Sequence, residues 1–224
     1  MTDVVIRRAG ARDLEAIVAI KRRLALGPEP HRGTQRGGFL LGSDLEGYRT
    51  LLQVARIWIL CLDHEPAGFA VTLADEALRA SPVWARRELV TWDPDFDVEP
   101  ALEGPLAYFD QLAVLPGLRP RYWGAALALV AMNDLLLPAH THPHAHVLTT
   151  TVVEPMVNRA ALPYLRRVGA REVGSIREHY PEVGWVRSAL HLIAAQPYIA
   201  HIAELRADPR PGRRRLMTLA VPKP

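Results

Sequence analysis

The chain is 224 residues long, 49% hydrophobic and 23% charged, with a formal net charge of +3. That is the composition of a soluble globular domain with enough chain to bury a sizeable core, and it excludes disordered and collagen-like classes. A single cysteine, Cys61, excludes an intrachain disulfide and a thiolate metal cluster. With no secretory leader pattern and no apolar run long enough to span a bilayer, a cytoplasmic, reducing setting is expected and a membrane is not. The basic excess collects at Arg206, Arg210, Arg213, Arg214 and Arg215. It reads as a solvated tail, so no nucleic-acid partner is expected.

In chain order, residues 4–7 read as a first strand and 13–26 as a first helix. Ser43, with Glu46 three residues on, reads as the N-cap of a helix running through Leu51 and Leu52. The apolar runs 57–61 and 68–73 flank Asp63-His64-Glu65-Pro66 and predict a hairpin, with Cys61 as inert core. Residues 74–105 then break the regular rhythm as an insertion. Further strands are expected at 108–114, 147–153, 171–176 and 186–194, with helices at 124–136 and from Asn158 to Gly169. Residues 1–195 make one domain, and 196–224 a C-terminal extension. The alternation of strands and helices predicts a mixed α/β sheet.

The chemistry concentrates where the 108–114 strand meets the helix after it. Alternation puts Tyr108, Asp110 and Leu112 on one face of that strand. Leu112-Ala113-Val114-Leu115-Pro116 leads into a basic loop holding Arg119 and Arg121, then Tyr122-Trp123-Gly124-Ala125-Ala126. A helix start carries outward N–H groups with partial positive charge. Small side chains let a phosphate approach them, and two arginines add full charges. This reads as an anion site, most naturally for a pyrophosphate. Motifs for the P-loop, the dinucleotide fold, serine hydrolases and zinc proteases are absent.

Leu112-Ala113-Val114-x-Pro116 followed by Arg121-x-x-Gly124-x-Ala126 resembles the central motif of the GNAT superfamily of acyl-CoA-dependent N-acyltransferases. Asn158-x-x-Ala161, Tyr164-Leu165 and Gly169-Ala170 resemble its late segment, and the likeness covers about residues 3 to 194. The resemblance implies a mostly antiparallel sheet of about seven strands flanked by helices, and an enzyme moving an acetyl or related acyl group from acyl-CoA to a small amine. It implies no metal, and leaves a homodimer open. Alternatives are a GNAT-like acyl-CoA binder with little turnover, or another acyl-CoA reaction such as decarboxylation. By position, Leu112, Ala113 and Val114 would offer backbone donors to the acyl oxygen. Arg119, Arg121, Tyr122, Trp123, Gly124, Ala125 and Ala126 would bind the phosphates, and Asn158 would lie near the pantetheine arm. Asp110 and Tyr108, four and six residues before Val114, occupy the general-base positions. Counting back from Gly169 puts Leu165 at the usual acid position and Tyr164 one residue before it, about 100° around a helix. Asp110 is therefore expected to matter more to turnover than Tyr164.

Three further groups carry a plain reading and a functional one. Asp93, Asp95, Asp97, Glu99 and Glu103 make either a solvated loop or an attractor for a cationic amine. His140, His142, His144 and His146 alternate as metal ligands do in an extended segment, but Pro143 interrupts them, and a surface loop is the simpler reading. His179 and Tyr180 are expected in a loop bordering the acceptor pocket.

Overall fold

The computed structural model describes residues 3–24, 43–116, 120–137, 144–181 and 183–219. Strand β1 (Val4–Arg8) leads through a 3-10 turn into helix α1 (Leu14–Leu24), and α2 (Leu45–Val54) follows. In α1 the apolar positions Leu14, Ile17, Val18 and Leu24 fall on one stripe and are buried. The cap of α2 is Asp44 and not Ser43: the Asp44 carboxylate accepts from the Gly47 N–H at 2.9 Å. Glu46 is thereby displaced from the third helical position and pairs with Arg49 instead.

The hairpin of β2 (Arg56–Leu62) and β3 (Glu65–Leu73) turns on two residues only, Asp63 and His64, both left-handed with φ of 49° and 69°. That hand matches the twist of the flanking strands. Both faces of these strands are covered. Trp58, Leu60 and Leu62 enter one hydrophobic cluster; Ile57, Ile59 and Cys61 enter the other. Alternation in an all-apolar strand therefore marks two cores and no solvent face.

The 74–105 insertion folds as α3 (Asp75–Arg79), α4 (Pro82–Ala85), a 3-10 turn (Arg86–Leu89), β4 (Thr91–Trp92) and α5 (Val98–Glu103). The chain continues through β5 (Leu106–Val114), α6 (Pro120–Leu136), β6 (His146–Glu154), α7 (Leu162–Arg167), β7 (Arg171–Tyr180), β8 (Gly184–Ala194), α8 (Ala195–Ala207) and α9 (Pro211–Leu219). Among the described residues there is one eight-stranded sheet, ordered β1-β2-β3-β5-β6-β8-β7-β4. The expected count was about seven; the extra strand is β4, which the insertion adds at the far edge beside β7.

Every neighbouring pair is antiparallel except β5–β6. That parallel pair is registered only from Leu106↔His146 to Phe109↔Thr149. Beyond it both strands run on, β5 held by β3 and β6 by β8, and the two diverge. A bulge in β5 falls at the same point: Val71 opposes Gln111 and Thr72 opposes Phe109, so Asp110 is the extra residue. A bulge bends its strand and shifts the parity of every residue after it. Accordingly Tyr108 and Ala113 share one core and Phe109 and Val114 the other. Tyr108, Asp110 and Leu112 do not share a face, contrary to simple alternation.

Helix α6 begins four residues earlier than its sequence suggests, with Pro120 at the first helical position, where its missing N–H costs nothing. It is apolar almost all round and buried all round. Such a helix needs cover on its outer side. The C-terminal helices supply it: Tyr198, Ile202, Leu205, Leu216 and Met217 belong to the same hydrophobic cluster as Leu127 through Met132. The Tyr198 hydroxyl donates to Asn133 Oδ1 at 2.8 Å.

Candidate active site

Divergence of β5 from β6 opens a cleft of about 460 Å³ that passes through the sheet. Its upper wall is the free edge of β5. The Leu115 N–H donates to Ala67 on β3 at 2.8 Å, so by antiparallel alternation Gln111 and Ala113 also bond toward β3. The N–H and C=O groups of Leu112 and Val114 then face away from β3, into the cleft. Close approach of β3 to β5 requires Gly68, where a Cβ would lie 2.6 Å from the Ala113 carbonyl oxygen. The lower wall is Thr150, Thr151 and Val152 of β6.

On the α6 side the lining is small or apolar: Val114, Gly124, Ala125, Met132, Leu165 and Ile193. A Cβ on Gly124 would sit 3.9 Å from Val114 Cγ2, so the absent side chain leaves open room at this wall. Because α6 starts at Pro120, Gly124 lies in its second turn. The N–H groups left unpaired by helix geometry include those of Arg121 and Tyr122. Asn158 lines the cleft but caps no helix. α7 starts only at Leu162, with Pro163 confined to its first turn, and the Asn158 side chain closes a tight turn by accepting from the Ala160 N–H at 3.2 Å. Arg159 and Arg167 stand on this side too.

The opposite side is polar. Burial holds the Asp110 carboxyl up at about 6, against a hydrogen bond from Gln111 Nε2 at 3.0 Å that pulls it down. Gln111 accepts in turn from the Tyr48 hydroxyl. Tyr48 is fully buried, so this chain fixes the carboxylate from the α2 side. Tyr108 stands beside it with its hydroxyl 3.0 Å from Thr150 Oγ1 and its acidity suppressed by burial. Glu178 on β7 holds Arg86 of the insertion and accepts from the Tyr180 hydroxyl at 3.2 Å. Arg86, Glu178 and Tyr180 all line the cleft.

The structure thus gathers Tyr108, Asp110, Leu112, Ala113, Val114, Gly124, Ala125, Asn158 and Tyr164 around one cleft. Tyr164 and Leu165 both reach it, and the Tyr164 hydroxyl is buried without a hydrogen-bond partner. Other expected positions lie away from the cleft or outside the described residues. Ala126 is fully buried in the core. Trp123 packs under α9, with the Arg215 guanidinium 6.0 Å from its ring, and the Tyr122 hydroxyl reaches the Gly212 carbonyl at 3.5 Å. None of these three side chains lines the cleft. Arg119 lies outside the described residues, and Arg121 is located by its backbone alone.

His179 and Tyr180 belong to strand β7 and not to a loop; His179 turns to Trp185 and only Tyr180 meets the cleft. The acidic run lines neither this cleft nor the smaller cavity beside it: the Asp95 carbonyl accepts from Arg171 at the β4 edge, and the insertion's contribution to the cleft is Arg86. His140 and His142 lie outside the described residues. His144 is engaged at both ring nitrogens, Nε2 accepting from the Asp75 N–H at 3.1 Å and Nδ1 bonding the Leu135 carbonyl at 3.0 Å. It ties the insertion to α6. Sequence reasoning missed Tyr48, Arg86, Thr150 and Glu178, which come from four separate elements and form no local pattern.

No family model matches the chain, and no curated protein sequence matches it. Solved structures do. The ribosomal-protein-S18-alanine N-acetyltransferase of Escherichia coli is 15% identical with a TM-score of 0.55, over 86% of this chain and 94% of that one. An acetyltransferase of the GNAT family from Streptococcus pneumoniae is 15% identical with a TM-score of 0.51, over 85% and 98%. A polyamine N-acetyltransferase of Drosophila melanogaster, which forms N-acetylagmatine, is 14% identical with a TM-score of 0.52, over 86% and 100%. At these identities the likeness is one of fold: this chain has the fold of the GNAT acetyltransferases. No helix among the described residues is long and apolar enough to cross a membrane.

Proposed function

We propose that this chain transfers an acyl group, acetyl in the first instance, from acyl-CoA to a small amine. The observation that carries the reading is the through-sheet cleft at the parallel β5–β6 pair, with open β5 amides on its rim and a carboxyl held at about 6 at its vertex. The GNAT-like fold agrees with it.

The residues present suit a CoA thioester. The small surface at Gly124 and Ala125, the first-turn N–H groups of α6, Arg159 and Arg167 are the groups suited to its phosphates. The pantetheine arm fits the free edge of β5 as an added strand does, through the amides of Leu112 and Val114. One of those amides donates to the thioester oxygen as negative charge develops there, which is typically the largest single catalytic term in acyl transfer.

Asp110 takes the proton the amine nitrogen sheds as its bond to the acyl carbon forms. A base with pKa near 6 is ionised at neutral pH and still basic enough to serve. Tyr48 and Gln111 hold it in place. Tyr164 is the candidate donor to the leaving sulfur: its hydroxyl is buried, unpartnered and uncharged at neutral pH.

The test is free-thiol release from acetyl-CoA against a panel of amines, with the product identified by mass spectrometry. Acetylated amine formed in step with thiol supports the proposal. Tight CoA binding with no acylated product from any amine refutes it.

A further inference from the structure

Beside the acceptor half of the cleft lies a second, smaller cavity of about 60 Å³. The insertion contributes Leu78, Val83, Trp84 and Leu102 to its walls, and the sheet contributes Ile176 and Leu190. Trp84 is pinned, with the Arg79 and Arg87 guanidiniums 4.8 and 4.9 Å from its ring centroid. These apolar walls accept an apolar group, with polar residues on the side that meets the cleft.

Four residues line both cavities: Arg86, Tyr108, Thr150 and Glu178. They are two bonded pairs, Arg86 with Glu178 and Tyr108 with Thr150, and the two spaces meet at them. Charge on the acceptor side is lopsided. Glu178 answers Arg86, whereas Asp110 is bonded to the neutral Gln111 amide. A cationic amine is welcome at Asp110; with Arg86 already paired to Glu178, a carboxylate on the same molecule meets one net negative charge across a partly desolvated space.

We infer that the acceptor is a primary amine bearing a compact apolar group and no carboxylate, its nitrogen at Asp110 and its apolar group in the cavity beneath the insertion. The inference rests on the acyl-transfer reading and narrows it. In the step itself the ammonium first loses one proton to water, the freed nitrogen lone pair bonds the acyl carbon, the carbon–sulfur bond breaks with its electron pair going to sulfur, the next nitrogen proton passes to Asp110, and the thiolate takes its proton from the Tyr164 hydroxyl, which recovers one from solvent. Nothing is oxidised or reduced. The insertion then sets specificity through Val83, Trp84 and Leu102, residues remote from the reacting atoms.

Three amines of equal chain length test it: butylamine, 1,4-diaminobutane and 4-aminobutyrate, with ethylamine as a short reference and acetyl-CoA as donor. The expected kcat/KM for butylamine exceeds that for the diamine and the amino acid by tenfold or more. Val83→Trp, which fills the cavity from a half-buried position, should lower kcat/KM for butylamine at least fivefold and leave ethylamine within twofold. Preference for the diamine or the amino acid, or equal effects of Val83→Trp on both alkylamines, overturns the inference and leaves acyl transfer standing. The wild-type rank order serves even if the variant folds poorly. Failure of every amine in a protein that binds CoA overturns the acyl-transfer reading and this inference together.

Discussion

The two sides of the cleft are built differently. On the α6 side the lining comes from residues close in sequence, Leu112 and Val114, then Gly124 and Ala125, with small or apolar side chains beside the core cluster that surrounds α6. On the opposite side it comes from Tyr108 and Asp110 of β5 and from single residues of the insertion, β6 and β7, joined by hydrogen bonds and one ion pair, with Tyr48 of α2 bonded to Gln111 behind them. One side is a backbone surface that a common ligand can share. The other is a side-chain surface that fits a particular one. Changes on the first should act on CoA affinity, and changes on the second on the amine and on proton transfer.

The largest expected effect is at Asp110. Asp110→Asn keeps shape while removing basicity, and should lower kcat/KM roughly a hundredfold to ten-thousandfold at neutral pH with CoA affinity unchanged. In the wild type kcat/KM should fall as pH drops through about 6; in Asp110→Asn that limb should vanish. Stability moves the other way. A carboxyl whose pKa is raised by folding contributes stability below its unfolded pKa of about 4 and loses it as pH rises through the folded value. Asp110→Asn should therefore melt a few degrees higher than wild type at pH 7.5 and no higher at acid pH. A pH–rate profile and thermal melts check both signs.

Next comes Gly124→Glu, which sets bulk and negative charge against Val114 at the suggested phosphate wall. CoA affinity measured by calorimetry should fall about a hundredfold, the scale of losing about 3 kcal/mol. Unchanged affinity in a folded variant would move the phosphates elsewhere and break the contrast between the two sides.

These two positions also mark what the sequence reveals. Gly124 and Leu112–Val114 were legible because a backbone site needs particular small residues at fixed spacing, and spacing survives in a sequence. The body of helix α6, seven of the eight strands and the 63–64 turn were legible because their residue types recur at regular spacing; β4 was not. The bulge at Asp110 was not, since alternation reads on either side of an extra residue. The early start of α6 was hidden because Arg121, Tyr122 and Trp123 carry no helical pattern. Arg86 and Glu178 lie 92 residues apart in sequence and are joined only by the tertiary fold.

A smaller effect is expected at Tyr164, which belongs to the α6 side by position but would act on the leaving sulfur. Tyr164→Phe removes a buried hydroxyl without a partner, so the variant should be as stable as the wild type or up to about 1–3 kcal/mol more stable. Its kcat should fall less than tenfold, well below the Asp110 effect. A loss comparable to Asp110→Asn would put the principal proton transfer at the sulfur.

The smallest effect is expected from Asp93→Asn, Asp95→Asn and Asp97→Asn together. These residues line neither cavity, so steady-state kinetics should find the KM of the amine and of CoA both within twofold of wild type. A large rise in amine KM would extend the acceptor surface out to the β4 edge.

The burial of α6 on every side has a consequence for how the chain is made. A ribosome delivers Leu127 to Leu136 well before Tyr198, Ile202, Leu216 and Met217, their outer cover. Until the last two helices emerge, the nascent sheet carries an uncovered apolar rod. Ribosomal pausing between α6 and α8 should therefore leave the nascent chain dependent on a holding chaperone, whereas release after α9 should let it close unaided.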